Sequence, residues 1–399
     1  MKELITAENR KKISEVLFYI ALTIELLVMI VEKSNYPFFI ESYVFRVTFL
    51  LTIAAAFLKE RNKKEWIIVF AVLAFSLLCY KLSGKNDLLR VAAFMMAARD
   101  IDTTKAMKYV FYISAAGFAI IMLLSVFGIL GEVVLVEDFG RGSSSERRFV
   151  FGFGHPNTLL GSVFALLLMW IWIYGKKSGI LSHAFVTFLA ISAAVITRSR
   201  TGLAVIAITL VFTYALRIVP KISGVRISYI LESIFSPVFC MLFAVLAAGF
   251  AENAYTGGGI PAPSFYWGLD DKLNQRLSNL YYGVDAHGGM LSNWKLFALP
   301  GSDGYFDMGW NRLFYWYGII PTVVIGLAIL AVIYVCYMRR DIWTVLLVFS
   351  VSLYTIVEAT FVTRYIGRDF FLIIAGAYLA EFIRKMTAEA EIKEVNTNV

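Results

Sequence analysis

Apolar runs long enough to cross a bilayer recur along this chain and constrain it more than any other feature. Inside lipid a backbone must satisfy its own N–H and C=O groups, and an open sheet fails to do so. The runs are Val16–Val31, Tyr43–Leu58, Trp66–Leu82, Leu88–Ala98, Tyr109–Leu130, Thr158–Tyr174, Leu181–Ile196, Gly202–Val219, Ile234–Phe250, Leu313–Met338, Ile342–Val357 and Tyr365–Ile383. They predict an all-α polytopic membrane protein of about twelve transmembrane helices, a single integral membrane domain over 1–399. With 59% hydrophobic and 17% charged residues, the chain lacks the polar surface of a soluble domain. No cleavable signal peptide is expected, because the first run lacks a small-residue cleavage site and further runs follow it.

The charges set the expected orientation. With the N-terminus cytoplasmic, the inner segments carry Arg10, Lys11 and Lys12, then Lys59, Arg61, Lys63 and Lys64, then Arg99, Lys105 and Lys108. Lys176, Lys177, Lys221, Arg226, Arg339, Arg340, Arg384 and Lys385 continue the pattern, as the positive-inside tendency requires with both termini inside. The fourth run is short and carries Arg90, but deleting it would invert every later loop. The formal charge of +8 is therefore assigned to cytoplasmic loops and not to nucleic-acid binding. Cys79, Cys240 and Cys336 lie in or at apolar runs, with neither a disulfide pattern nor metal spacing.

Two outer regions follow, a loop over 131–156 and a large extracytoplasmic loop over 251–311. Arg141, Arg147, Arg148, Arg198, Arg200, Arg276, Arg312 and Arg364 fall outside or at the outer edge, against the orientation rule. Arginine's planar fork of donors suits phosphate. The alternative reading pairs these cations with Glu137, Asp138, Glu146, Asp270, Asp271, Glu358 or lipid headgroups. Arg198 and Arg200 stand in the tight turn TRSRTG, where Thr201 is a candidate helix cap and Gly202 permits close approach. In GFGHPN, Pro156 fits the first helical turn, and His155 or Asn157 supplies a polar group at its outer end. His183 lies at the inner start of its span and reads as structural. Leu273, Leu277 and Leu280 predict an interfacial amphipathic helix over Asp270–Leu280. Aromatic residues in this loop fit sugar faces and headgroup belts equally.

FGFGHPN before a mid-chain span, TRSRTG between two spans, a late loop containing QRLSN, and FDMGWNRLFYWYGIIP leading into the next span together resemble the O-antigen polymerase and O-antigen ligase superfamily. The likeness is nearest to Wzy-type polymerases of capsular or exopolysaccharide clusters and covers Gly131 to Gly326. The resemblance implies a GT-C-like membrane glycosyltransferase acting on the outer side of a bacterial cytoplasmic membrane. It would extend surface polysaccharide from oligosaccharide repeat units linked to undecaprenyl diphosphate, beside a chain-length regulator and a flippase of the same pathway.

The same resemblance places Arg200 and Arg276 near the lipid diphosphate and His287 as the base, so His287, Arg200 and Arg276 are the catalytic candidates. The chemistry needs the diphosphate neutralised and an acceptor hydroxyl deprotonated. Arg198, Arg147 and Arg148 are candidate helpers, and His155 and Asp307 are alternative bases. Asn157 and Asn311 complete the expected substrate-binding set. The family's Asp-Asn pair is displaced here, as Asp307-Met308-Gly309-Trp310-Asn311. No cofactor and no metal are expected. A glycan ligase and a flippase or other secondary transporter remain as alternatives; for a transporter, related halves around a midplane site are expected, and the late loop has no counterpart in the first half.

Overall fold

The computed structural model describes residues 6–37, 41–139, 145–284, 287–360 and 368–397, with side chains omitted at Glu41, Ser42, Arg368 and 389–397. The elements are α1 (Ala7–Glu32), α2 (Glu41–Phe57), α3 (Lys63–Ser83), α4 (Asp87–Ala97), α5 (Thr103–Val126), β1 (Val134–Glu137), β2 (Glu146–Phe149), α6 (Pro156–Tyr174), α7 (Ile180–Ile196) and α8 (Arg200–Ile218). They continue with α9 (Arg226–Ser233), a π turn at Ile234–Phe239 that accommodates Pro237, α10 (Cys240–Thr256), α11 (Tyr266–Lys272) and α12 (Asn279–Tyr282). Last come α13 (Gly309–Trp316), α14 (Ile319–Arg339), α15 (Ile342–Val357) and α16 (Arg368–Thr397).

The protein is an all-α membrane protein. Seven helical stretches among the described residues are long and apolar enough to cross a bilayer: Ala7–Glu32, Lys63–Ser83, Thr103–Val126, Pro156–Tyr174, Arg200–Ile218, Arg226–Thr256 and Ile319–Arg339. Tyr43–Phe57, Ile180–Ile196 and Ile342–Val357 are shorter apolar helices. The fourth expected span is a helix of only 11 residues, about 16 Å at the α-helical rise and short of a hydrocarbon layer of roughly 30 Å.

Contacts between loops sort the helix ends into two faces. On one, the Asn35 N–H donates to the Gly152 carbonyl at 3.1 Å, Lys85 donates to the Ser302 carbonyl, and Asn157 meets Glu358. On the other, Arg10 pairs with Glu60 at 3.1 Å, Arg384 with Asp100 at 2.6 Å, and Asn62 with Thr387 at 3.5 Å. The segment through α4 therefore runs from one face to the other despite its length. α4 is enclosed by α2, α3 and α16, while α15 packs against α6, α8 and α13. Cys79, Cys240 and Cys336 are buried, so they serve packing and do not face lipid.

Several expected boundaries are corrected. α10 continues past Phe250 to Thr256, and the helix expected from Leu313 breaks at Tyr317 and Gly318 before α14. The break has a cause in the large loop, whose Lys295 and Leu296 carbonyls accept from the Ile319 and Ile320 N–H groups at 2.9 and 3.0 Å. Gly318 there has φ 102°, a conformation that disfavours a side chain. The amphipathic helix expected over Asp270–Leu280 is instead two short helices, because Asn274 and Gln275 are left-handed, at φ 58° and 61°. The Asp270 carboxylate captures the Leu277 and Ser278 N–H groups at 2.8 and 3.1 Å, which ends helical pairing there. The 131–156 region holds an antiparallel β1–β2 hairpin, with Leu135 opposite Arg148. The last expected span begins outside the described residues, as do Arg141, Asp285 and Arg364.

Candidate functional site

The GFG turn builds one wall of the site. Phe151, Gly152 and Gly154 all have positive φ, at 42°, 78° and 70°, and their turn delivers His155 as the N-cap of α6 with Pro156 in its first turn. The His155 Nδ1 accepts from the Asn157 N–H at 3.2 Å, so His155, not Asn157, is the cap. The Asn157 side-chain amide turns away from the cap and donates to Glu358 Oε1 at 2.9 Å.

Glu358 terminates α15 in an extended conformation and is 6% exposed. Its Oε1 also receives Arg276 Nη2 at 2.6 Å. Arg276 is as buried, at 4%, and donates through Nε to the Val357 carbonyl at 2.8 Å and through Nη1 to the Leu273 carbonyl at 3.1 Å. Asp307 Oδ2 stands 3.6 Å from Nε, on the more open side of the group. The Asp270 clamp described above fixes the backbone immediately after Arg276. Segments distant in sequence, at 155–157, 276, 307 and 358, thus meet at one mouth of the helix bundle.

The charges are mutually dependent. Burial and then Asp307 raise the Glu358 carboxyl, Arg276 and Arg312 oppose them without prevailing, and the net value is about 7. Burial would lower Arg276, but Glu358 and Asp307 together outweigh it and hold the guanidinium above its ordinary value. The surrounding protein depresses His155, with Asp307 acting against this and Arg148 adding to it. Below about pH 7 the favoured arrangement therefore keeps Arg276 charged and Glu358 protonated.

Arg148 borders the same mouth. It is 4% exposed, pairs with Glu146 at 2.8 Å and lies 3.8 Å over the Phe139 ring, which in turn meets His155 at 6.0 Å. Arg147, alternate on the strand, is exposed. Gly202 packs directly on Leu160, so the starts of α6 and α8 are neighbours and Arg200 shares the face of His155. Arg200 is exposed, and among the described residues no carboxylate pairs with it. Arg198 is also exposed, in a left-handed turn at φ 51°. Ser199, not Thr201, occupies the cap position of α8.

Two predicted residues stand apart. Asn311 is fully buried and donates to the Ala244 carbonyl at 2.9 Å, which makes it a tie between α13 and α10. His287 stacks on Tyr281 at 4.0 Å with its Nδ1 2.7 Å from the Tyr281 carbonyl, and these contacts do not include Arg276 or Asp307. His183 is buried, with its Nε2 3.0 Å from the Gly175 carbonyl on the opposite face.

No protein family, curated protein or solved structure matches this chain. In the sequence Glu358 is one of several carboxylates able to pair with the outer arginines. Its signal is a single acidic residue ending the apolar run YTIVEAT, where an ionisable group is expensive unless partnered. Among the described residues no group of three or more His, Cys, Asp or Glu is placed to hold a metal.

Proposed function

We propose that this chain is a membrane glycosyltransferase that polymerises lipid-diphosphate-linked oligosaccharide repeat units into surface polysaccharide at the outer face of a bacterial cytoplasmic membrane. The observation that carries the reading is the meeting of Arg276, Glu358, Asn157, Asp307 and His155 at the mouth of an apolar helix bundle. Such a mouth meets both a lipid-anchored donor and a water-borne glycan. In this reading the chain makes twelve passes with a GT-C-like arrangement, and both termini are cytoplasmic.

The reaction joins an acceptor hydroxyl oxygen to the donor's anomeric carbon as the carbon–oxygen bond to the diphosphate breaks. The electron pair leaves with the lipid diphosphate, and the hydroxyl proton passes to a protein base. Arg200 is the exposed cation best suited to contact the diphosphate, with Arg198 and Arg147 as further exposed candidates. Arg276 has its donors engaged by protein, so its contribution is a fixed positive field beneath the leaving group. Asp307, 31% exposed at its side chain, is the base in this reading, with His155 the next candidate and His287 displaced by its Tyr281 contacts.

Reconstitution with lipid-diphosphate-linked repeat units tests this. A ladder of longer glycans is expected from wild type, with Arg200→Ala and Asp307→Asn suppressing it while membrane insertion persists. Movement of the substrate across the bilayer without new glycosidic bonds would overturn the reading in favour of transport. Transfer of a single preformed glycan, with no ladder, would identify a ligase.

A further inference from the structure

Glu232 is a buried carboxyl that the polar mouth does not use. α8 starts at the mouth and ends at Ile218, so α9 starts on the opposite face, and Glu232 lies on its second turn at 5% exposure. Ser236 Oγ donates to its Oε1. Among the described residues no Lys, Arg or His forms an ion pair with Glu232, and no charged group stands near enough to act on it. The elements around it supply few ionisable groups. Its own segment contributes Tyr229 and Cys240, and α14 contributes Cys336. Arg339, Arg340 and Asp341 act on Tyr229 or Cys336 from nearer the face. α15 brings no ionisable side chain to this half, since its Tyr354 is at the mouth end. An ionised carboxyl here would be a buried charge without a counter-ion, in the half of the bundle away from water.

This carboxyl stands at a joint. The π turn at Ile234–Phe239 follows α9 directly, and Ser236, the partner of Glu232, is inside it. Pro237 in the same turn supplies no N–H to the helical ladder, so a change of angle breaks less hydrogen bonding here than elsewhere in the span. Beyond the joint, α10 runs to the mouth and holds the large loop there. Its Gly249 carbonyl accepts from the Ile260 N–H at 3.1 Å, Asn253 Oδ1 from the Ala262 N–H at 3.0 Å, and Glu252 Oε2 from the Ser292 N–H at 3.1 Å. One continuous helix thus joins a lone carboxyl at one face to the loop anchors at the other.

We propose that Glu232 is a proton-binding site, and that release of its proton turns α10 about the π turn and loosens the large loop at the opposite face. In the proton-loaded state the neutral carboxyl stays buried against Ser236. On release the O–H bond breaks, its electron pair remains on the carboxylate, and the proton passes to water at the near face. The carboxylate then has no counter-ion where it stands and is drawn past Tyr229 towards Arg340, which is exposed and has no ion pair among the described residues. α9 follows its side chain, and the π turn passes the displacement to α10. The inference does not depend on the polymerase reading.

Two measurements on the purified full chain in nanodiscs test this. The first is labelling by dicyclohexylcarbodiimide, a lipid-soluble probe of protonated carboxyls. The carboxyl O–H adds across one C=N bond, and an acyl shift to nitrogen leaves the whole reagent attached for peptide mass mapping. At about pH 7 Glu232 should be labelled at least about tenfold faster than Glu25, the bundle carboxyl that pairs with Arg90 at 3.1 Å. Equal or slower labelling of Glu232 overturns the proposal, and this comparison needs no variant to fold. The second is amide exchange at Ile260, Ala262 and Ser292, with wild type and Glu232→Gln compared at each pH so that intrinsic exchange cancels. Between about pH 6 and pH 9 exchange in wild type should rise at least about threefold relative to Glu232→Gln. A constant ratio across that range overturns the coupling of proton release to the loop, and with it the proposal.

Discussion

Glu358→Gln distinguishes a carboxyl kept protonated from an ionised salt bridge. The two partners of Glu358 Oε1, Arg276 at 2.6 Å and Asn157 at 2.9 Å, are both donors, and glutamine's carbonyl can accept from them as a neutral carboxyl does. With the folded value raised from 4.5 to about 7, the native state holds the proton more tightly than the unfolded chain. The sign follows from linkage: wild type has no penalty from this group below the unfolded value, and it loses stability as pH rises from there through the folded value. Above that window the penalty reaches roughly 3 kcal/mol, since each tenfold change in proton affinity between the two states is worth about 1.4 kcal/mol.

Glu358→Gln does not titrate and should escape that loss. Its stability should match wild type near pH 4.5 and exceed it by up to about 3 kcal/mol near pH 8. The measurement is unfolding in mixed micelles, with both proteins compared across pH so that all other titrating groups cancel. Glu358→Ala supplies the control, because it removes the acceptor and should cost about 1–3 kcal/mol near pH 4.5, a difference that shrinks as wild type loses stability towards pH 8. If Glu358→Gln were instead destabilised most strongly at alkaline pH, the ionised Arg276–Glu358 pair would be what holds the site, and the reasoning would fail.

Other perturbations probe separate links. Arg200→Ala should change stability by less than about 0.5 kcal/mol, as expected for an exposed side chain, while lowering chain growth severely; an equal loss of folded protein would remove its functional assignment. Asp270→Ala should release the Leu277 and Ser278 N–H groups and cost about 2–3 kcal/mol, read as faster amide exchange confined to 270–284; unchanged exchange would show that the clamp is dispensable. Gly202→Val should cost about 1–3 kcal/mol by forcing α8 off Leu160, and the added substitution Leu160→Ala should restore part of it; additive losses would refute a direct clash. Gly318→Ala should destabilise the start of α14, since its Cβ would lie 2.6 Å from Phe297 Cα in a left-handed turn; a wild-type unfolding midpoint would refute this.

The helical membrane class was legible because each apolar run must satisfy its backbone internally, whatever its neighbours do. The α6 start was legible for a related reason: His155, Pro156 and Asn157 act within one turn, and local chemistry dictates the cap. The break at Gly318 was not, because its cause is the Lys295 and Leu296 carbonyls, which arrive from a loop more than twenty residues upstream. The same distinction separates the arginines. Charge and position mark Arg200, Arg276 and Arg312 alike, but only the fold reveals that Arg200 is open, Arg276 is compensated, and Arg312 is buried with an unused donor.

That difference bears on how the polar mouth works. An arginine already bonded to protein on several sides changes the energy of nearby charge without moving, so under the polymerase reading Glu358 and Asp307 tune the field that the diphosphate meets. Once Glu358 ionises, the Arg276 group gains a negative charge that opposes an incoming diphosphate. Under the polymerase reading, retention of a diphosphate lipid should therefore weaken as pH rises through about 7, and Glu358→Gln should abolish that dependence. Persistence of the same pH profile in Glu358→Gln would assign the titration to the ligand or to His155 instead.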